Sequence, residues 1–255
     1  MYLTIQGIVL RVTDYNDKDA LLTMLTRRHG RLTVKARGLR RKNSPLIAPC
    51  QLLAYGEFTL FEYRGQYTIN EAQSIELFTP LRRDLTKLSL GTYFAQVSEV
   101  LSQEDMPNPE LQSLLLNCLY ALSRLDLPES QVKAVFELRA ACLSGYTPDL
   151  TGCHVCGSQT PERFDLSAGM LECRNCRSPE SNGIRMPVPP SVLEAMRYIC
   201  HCDSKKLFSF QAGEDTLQQF SEVTEAYLAT QLERGFPALD FYKSLCFRAD
   251  MPGAT

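Results

Sequence analysis

The sequence predicts an α+β chain in which a five-stranded barrel precedes a mostly helical body carrying an inserted four-cysteine module. Three observations predict it. Apolar residues follow a strand pattern up to about residue 78 and a helical period after Pro80. Two Cys-x-x-Cys pairs stand 16 residues apart in the rear half. Residues 1–80 hold 11 Lys+Arg against 7 Asp+Glu, whereas residues 81–255 hold 16 against 22. The chain's net charge of −2 thus conceals a front of +4 and a rear of −6, so a polyanion is expected to meet the front.

The strands come in order. Leu3 to Val12 is rich in β-branched and apolar residues, and Ala20 to Arg27 forms a second run. His29-Gly30 supplies a turn, after which Arg31 to Arg37 alternates basic or polar with apolar. Residues 40–49 are a polar, proline-punctuated loop. Residues 51–63 form a long strand broken at Gly56, where a glycine suits a bulge or a sharp bend. Arg64-Gly65-Gln66 is a hairpin turn, and Tyr67 to Leu77 is the fifth strand. Five short strands, one of them bent, suit a small barrel. The OB fold is one such solution, and an SH3-like barrel is another.

Pro80 marks the change of period and divides the chain into residues 1–79 and 80–255. A helix is expected from Asp84 to Ser102, and another from an Asn108 cap with Pro109 in first position to about Asp126. Ser130 caps a third, which Gly145 ends and Pro148 keeps from resuming. A module at about 150–183, rich in Cys, Gly, Ser and Pro, has no long apolar period. Helices at about 190–202 and 214–234 follow. The many carboxylates of this half are expected on solvated helix faces.

Cys153, Cys156, Cys173 and Cys176 fall inside the spacing window of a zinc site. A two-residue spacer lets one turn of chain present two thiolates to the same metal, and two such turns close a tetrahedral shell. A shell of four thiolates has no open position, so one structural Zn2+ is expected, without catalysis. His154 lies between the first two ligands but is not needed. Cys200-His201-Cys202 resembles a second cluster, yet neighbours on a helix point apart and do not converge. Arg174 and Arg177 flank the second pair and are either phosphate contacts or solvated. Cys118 and Cys142 sit in apolar helical stretches, as small buried hydrophobes do.

From Arg27 to Lys42 there are eight basic residues and no acidic one. Arg27, Arg31, Lys35, Arg37, Arg40, Arg41 and Lys42 are the candidate nucleic-acid ligands. Arg31, Lys35 and Arg37 share one strand face while Leu32, Val34 and Ala36 share the other, so the apolar face fills a barrel and the basic face tracks phosphates. Phe58 and Leu60 lie on one face of the next strand, Phe61 and Tyr63 on the other. The second pair either stacks on bases or packs against the helical body.

Composition excludes several classes. With 44% hydrophobic and 22% charged residues the chain is an ordinary globular one. No apolar run spans a bilayer, and the N-terminus lacks the plan of a signal peptide, so a cytoplasmic location is expected. There is no phosphate loop, dinucleotide fingerprint or nucleophile elbow, and none of the three histidines has a catalytic setting. A binding protein, not an enzyme, is expected.

Several stretches resemble the RecO family. They are Gly7-Ile8-Val9-Leu10, Tyr15 to Asp19, Leu21 to Thr26, His29 to Gly38, Phe136 to Arg139, and Gly145 to Leu150 ahead of Cys153. The resemblance implies an OB fold, then a helical domain with a zinc module. It implies a bacterial, nucleoid-associated protein of DNA repair and recombination with no catalytic residues. It implies binding of single- and double-stranded DNA, strand annealing, a complex with RecR, contact with the C-terminal tail of single-strand-binding protein, and help in loading RecA. The rival reading is an RNA-binding OB-fold zinc protein without a recombination role. The helices at 84–144 and 190–234 are expected to carry an apolar groove for a partner peptide, with Arg139 a candidate for its carboxylates.

Overall fold

The computed structural model describes residues 1–176 and 183–249. They form two compact units, one from the described residues of 1–125 and 236–249 and the other from those of 126–235. The two are taken in turn.

The first unit opens with strands β1 (Tyr2–Tyr15), β2 (Asp19–Thr26), β3 (Gly30–Ala36), β4 (Tyr55–Tyr63) and β5 (Gln66–Glu76). They close a barrel in the order β1-β2-β3-β5-β4. Closure uses a short parallel pairing, Val34 with Tyr67 and Lys35 with Thr68, while the other pairs are antiparallel. The parallel pair distinguishes this OB-type barrel from a simple meander. Leu22, Met24, Leu32, Val34, Phe58 and Leu60 are among the residues that fill it. The alternation in β3 thus does what its sequence predicts. Strand β4 begins at Tyr55, with residues 51–54 in turns instead of the strand expected from residue 51. The register shifts between Tyr55 and Gly56, where an added Cβ would stand 2.6 Å from the Gln73 carbonyl oxygen. Arg64 and Gly65 both have positive φ, 52° and 75°, the geometry of a tight two-residue hairpin turn.

Helices α1 (Leu85–Leu101), α2 (Pro109–Arg124) and α6 (Pro237–Ala249) complete this unit. Asp84 and Asn108 cap α1 and α2 by accepting backbone N–H bonds. Gln112 of α2 donates a buried bond to the Leu25 carbonyl, and Tyr93 of α1 packs edge-on against Phe236. Gly30 sits at φ 62° where a side chain would lie 2.3 Å from the Met106 carbonyl oxygen, so only glycine fits this barrel-to-helix seam. Helix α6 lies beyond the last helix that the sequence predicts.

The second unit holds α3 (Glu129–Leu143), α4 (Pro190–His201), α5 (Glu214–Leu232) and a small sheet. The sheet orders β6 (Asp149–Cys153), β8 (Met170–Glu172), β7 (Arg163–Asp165) and β9 (Arg185–Pro187) side by side. Ser130 does not cap α3, which starts one residue earlier with Pro128 before it. Most described carboxylates of the rear half are exposed or half-buried, as the sequence predicts, with three exceptions. Glu137, Asp165 and Glu172 are buried, because Lys133 and Arg185 accompany them inside. Lys133 reaches Glu137 at 3.0 Å and Glu225 at 2.8 Å, tying α3 to α5. Among the described residues no helix is long and apolar enough to cross a membrane.

Candidate metal centre and nucleic-acid interface

The two Cys-x-x-Cys turns meet at one end of the small sheet. Cys153 closes β6 and Cys173 follows β8, and these two strands are neighbours. The β6–β8 pairing therefore joins ligand pairs that are far apart in sequence. Gly157 takes φ 74° just after the first pair, and its N–H bonds the Cys153 carbonyl at 2.7 Å. All four sulfurs lie within 4.8 Å of one another, with Cys156 and Cys173 at 3.7 Å. A tetrahedral metal with thiolate bonds near 2.3 Å needs sulfurs about 3.8 Å apart. The four cysteines thus fit a single ion.

Electrostatics points the same way. Burial works to raise the Cys153 thiol, but backbone N–H groups of Cys156, Cys173 and Val155 overcome it and bring it down to about 6. Cys176 is pushed up to about 12, first by its bond to Cys156 and then by burial and its charged neighbours. Four thiolates in contact need a cation to hold them all deprotonated. His154 stands aside, with Nδ1 3.1 Å from the Leu171 carbonyl. Arg174 is exposed, and Arg177 lies outside the described residues. In the Cys200-His201-Cys202 run, His201 turns to the Arg197 carbonyl at 2.9 Å and Cys202 to that of Ile199 at 3.9 Å.

The basic surface belongs to the barrel, and it is not the continuous stripe that the sequence suggests. Strand β3 spans about 20 Å at roughly 3.3 Å per residue. Arg27 and Arg28 stand before one end, Arg37, Arg41 and Lys42 beyond the other, and all five are exposed. The other three cations of the run have acquired acidic partners from elsewhere in the chain. Arg31 lies 3.9 Å from Glu104 and donates to the Glu99 carbonyl at 3.0 Å. Lys35 meets Asp19 at 3.2 Å, and Arg40 meets Asp14 at 3.2 Å. Asp19 is held below the usual carboxylate range, first by the Gly38 N–H, against the cost of burial, then by Lys35 and Arg37. Among the described residues Arg27, Arg37, Arg41 and Lys42 have no such carboxylate within ion-pair distance.

Strand register sets aromatics beside these charges. Lys35 pairs with Thr68, Thr68 with Phe61, and Phe61 with Tyr2, a band across four adjacent strands. Phe61 is 41% exposed and Tyr63 60%. The Tyr2 and Phe61 rings lie 5.4 Å apart. Arg27, Arg28 and His29 line a groove of about 570 Å³ with Gln6 and Glu57.

In the second unit a cleft of about 550 Å³ separates the sheet from α4, walled by Pro161, Pro187, Val188 and Leu193. Arg197 lines it, with Nε bonded to the Leu150 carbonyl and Nη2 buried without a hydrogen-bond partner among the described residues. Arg139, the cation singled out from sequence, instead donates to the carbonyls of Ile199 and Cys200 at the end of α4.

Comparison with known proteins agrees with this architecture. Recombination protein O N terminal matches residues 1–78, and Recombination protein O C terminal matches residues 82–240. The DNA repair protein RecO of Acetivibrio thermocellus is 33% identical over 96% of this chain and 97% of its own. That of Alkaliphilus metalliredigens is 29% identical over 96% of this chain and its whole length. That of Bacillus subtilis is 28% identical over 87% of this chain and 86% of its own. With both family regions matched in order and the barrel, helices and cysteine cluster in place, the chain belongs to the RecO family of DNA repair proteins.

Proposed function

We propose that this chain is a non-catalytic mediator of DNA repair and recombination. It binds single- and double-stranded DNA and anneals complementary strands. With RecR it helps load RecA onto DNA coated by single-strand-binding protein, in the bacterial cytoplasm at the nucleoid. The observation that carries this reading is the barrel face, where Arg37, Arg41 and Lys42, exposed and outside ion-pair distance of any described carboxylate, follow the strand that bears Lys35, beside exposed Phe61 and Tyr2. Annealing needs a grip indifferent to sequence, and phosphate contacts and stacking on base faces both have that property. Arg27 joins from the groove at the other end of β3, while Arg31, Lys35 and Arg40 contribute less because carboxylates already neutralise them.

The metal on this reading is one structural zinc held by Cys153, Cys156, Cys173 and Cys176, which fixes β6 against β8. Four sulfur donors at tetrahedral spacing suit zinc and leave no position for a reacting water. The tail of single-strand-binding protein is assigned to the proline-walled cleft, where Arg197 would meet its carboxylates.

The test is annealing of complementary oligonucleotides, bare and coated with single-strand-binding protein, beside RNA strands of equal length. Faster annealing on both DNA forms is expected. No acceleration at low salt, or acceleration of RNA alone, refutes the reading.

A further inference from the structure

Six cysteines take no part in the metal cluster, and two of them face each other. Cys142 is the penultimate residue of α3, and Cys200 the penultimate residue of α4. Their sulfurs stand 3.7 Å apart across the two helix ends, and both residues are only partly buried. A disulfide needs about 2.05 Å, so the sulfurs have roughly 1.7 Å still to close. By contrast Cys50 and Cys118 are fully inside apolar packing, which raises both thiols.

The surroundings divide the labour between the two sulfurs. The hydrogen bond to Cys200 lowers the Cys142 thiol most. Burial opposes that, and Thr147, Arg139 and His201 assist it, to a value of about 7. Cys200 is driven far upward by the same contact and by burial. The two sulfurs titrate as a coupled pair, so their contact favours one thiolate beside one thiol, the combination that an attacking and a resolving cysteine need.

We propose that Cys142 and Cys200 are a peroxide-reactive dithiol that closes reversibly to a disulfide joining the C-terminal ends of α3 and α4. The Cys142 thiolate attacks one oxygen of hydrogen peroxide. The O–O bond breaks, Cys142 becomes a sulfenic acid, and the departing hydroxide takes a proton to become water. The Cys200 sulfur then attacks the Cys142 sulfur. An S–S bond forms, the S–O bond breaks, and the hydroxide leaves as water with the Cys200 proton. Two thiols lose two electrons and one peroxide is reduced to two waters. A small dithiol reverses the change by exchange.

Closure has a defined structural meaning. The 58-position separation of Cys142 from Cys200 encloses the whole cysteine module, so the bond would fasten the base of the segment that holds the metal. In a reducing compartment such a bond is transient and serves as a sensor.

The experiment uses the full-length, zinc-loaded protein. It is treated with graded hydrogen peroxide, alkylated, digested and analysed for cross-linked peptides, with zinc measured in each sample. The expected result is a Cys142–Cys200 peptide that appears before zinc is released and vanishes on treatment with dithiothreitol. Without peroxide, Cys142 should alkylate at pH 7 roughly tenfold faster than an ordinary thiol. Cys200→Ser should stop at a sulfenic acid on Cys142 that dimedone traps, and Cys142→Ser should give neither product. Release of zinc while Cys142 and Cys200 both remain fully alkylatable overturns the proposal. So does a Cys142 that alkylates no faster than Cys118.

Discussion

Reversing the charge of Arg37 and Arg41 together separates DNA binding from fold stability. Both side chains are exposed just past the end of β3, on the barrel, and neither has a carboxylate within ion-pair distance among the described residues. If each meets one phosphate, the double substitution removes two counterion-release events. The slope of log affinity against log salt should then flatten by about 1.4 on single strands and about 1.8 on duplex. Taking 1 M salt as the point where release contributes nothing, affinity for a single strand should fall ~66-fold at 50 mM and ~9-fold at 0.2 M. Repulsion from the new glutamates adds to this. Thermal unfolding should move by no more than about 2 °C, since exposed charges away from buried contacts contribute little. Arg37→Glu weakens the field that holds Asp19 low, but the Gly38 N–H remains its first support. The assay is fluorescence anisotropy of labelled oligonucleotides across a salt series, with annealing rates on the same samples. Unchanged slopes and unchanged annealing would show these cations to be merely solvated, and the grip would have to be sought at Arg27 and Arg28.

Three further outcomes follow from the same structure. Arg31→Ala should act on the fold more than on the salt slope, because its guanidinium donates to the Glu99 carbonyl at 3.0 Å. A loss of roughly 1–2 kcal/mol in urea unfolding is expected, and a stable variant with a flattened salt slope would contradict the assignment. Cys173→Ser should strip the metal, so elemental analysis should fall from one zinc per chain towards none, with early loss of the module's protection from protease. Full zinc retention would refute the ligand set. Glu137 lies above the ordinary carboxylate range because burial, opposed by Lys133, favours its protonated form. Between the unfolded and folded values, the folded state keeps a proton that the unfolded state has lost. Stability from this group should decline as pH rises from the ordinary carboxylate value through the folded one, and Glu137→Gln should flatten that decline in denaturant titrations at several pH values.

Local chemistry carried much of the architecture. The alternation Leu32, Val34, Ala36 against Arg31, Thr33, Lys35 needs only the two-residue period of a strand, and the barrel interior respects it. Asn108 followed by Pro109 marks a helix start by backbone geometry alone, and the helix begins there. The doubled cysteine spacing fixes which sulfurs converge. Ser130 misled because Pro128 can begin α3 without a side-chain cap. The sheet of the cysteine module leaves no signal in the sequence, because β7, β8 and β9 have three residues each, too short for any period to register. Lys133 and Glu137, four apart, resemble an ordinary surface pair. Only the packing of α5, with Glu225 and Thr224, makes them a buried network.

Charge is where sequence order and space diverge most. Eight cations without an acid between Arg27 and Lys42 imply one long electropositive stripe. Strand pairing brings Asp19 of β2 to Lys35, and the loop before it brings Asp14 of β1 to Arg40. The segment after α1 brings Glu104 to Arg31. None of these acids lies within the basic run, so no window along the chain could have revealed them. Among the described residues, the cations without a carboxylate at ion-pair distance form two clusters separated by the length of β3, about 20 Å. A strand lying on the Lys35–Thr68–Phe61–Tyr2 band would need to cross only about 14 Å of sheet, three strand spacings of roughly 4.8 Å. On the proposed reading, phosphates are then held at the barrel's rim by Arg37, Arg41 and Lys42 while bases lie on the aromatics. A grip at one rim holds a strand without enclosing it, leaving the outer edges of its bases open to a complementary strand, as annealing requires.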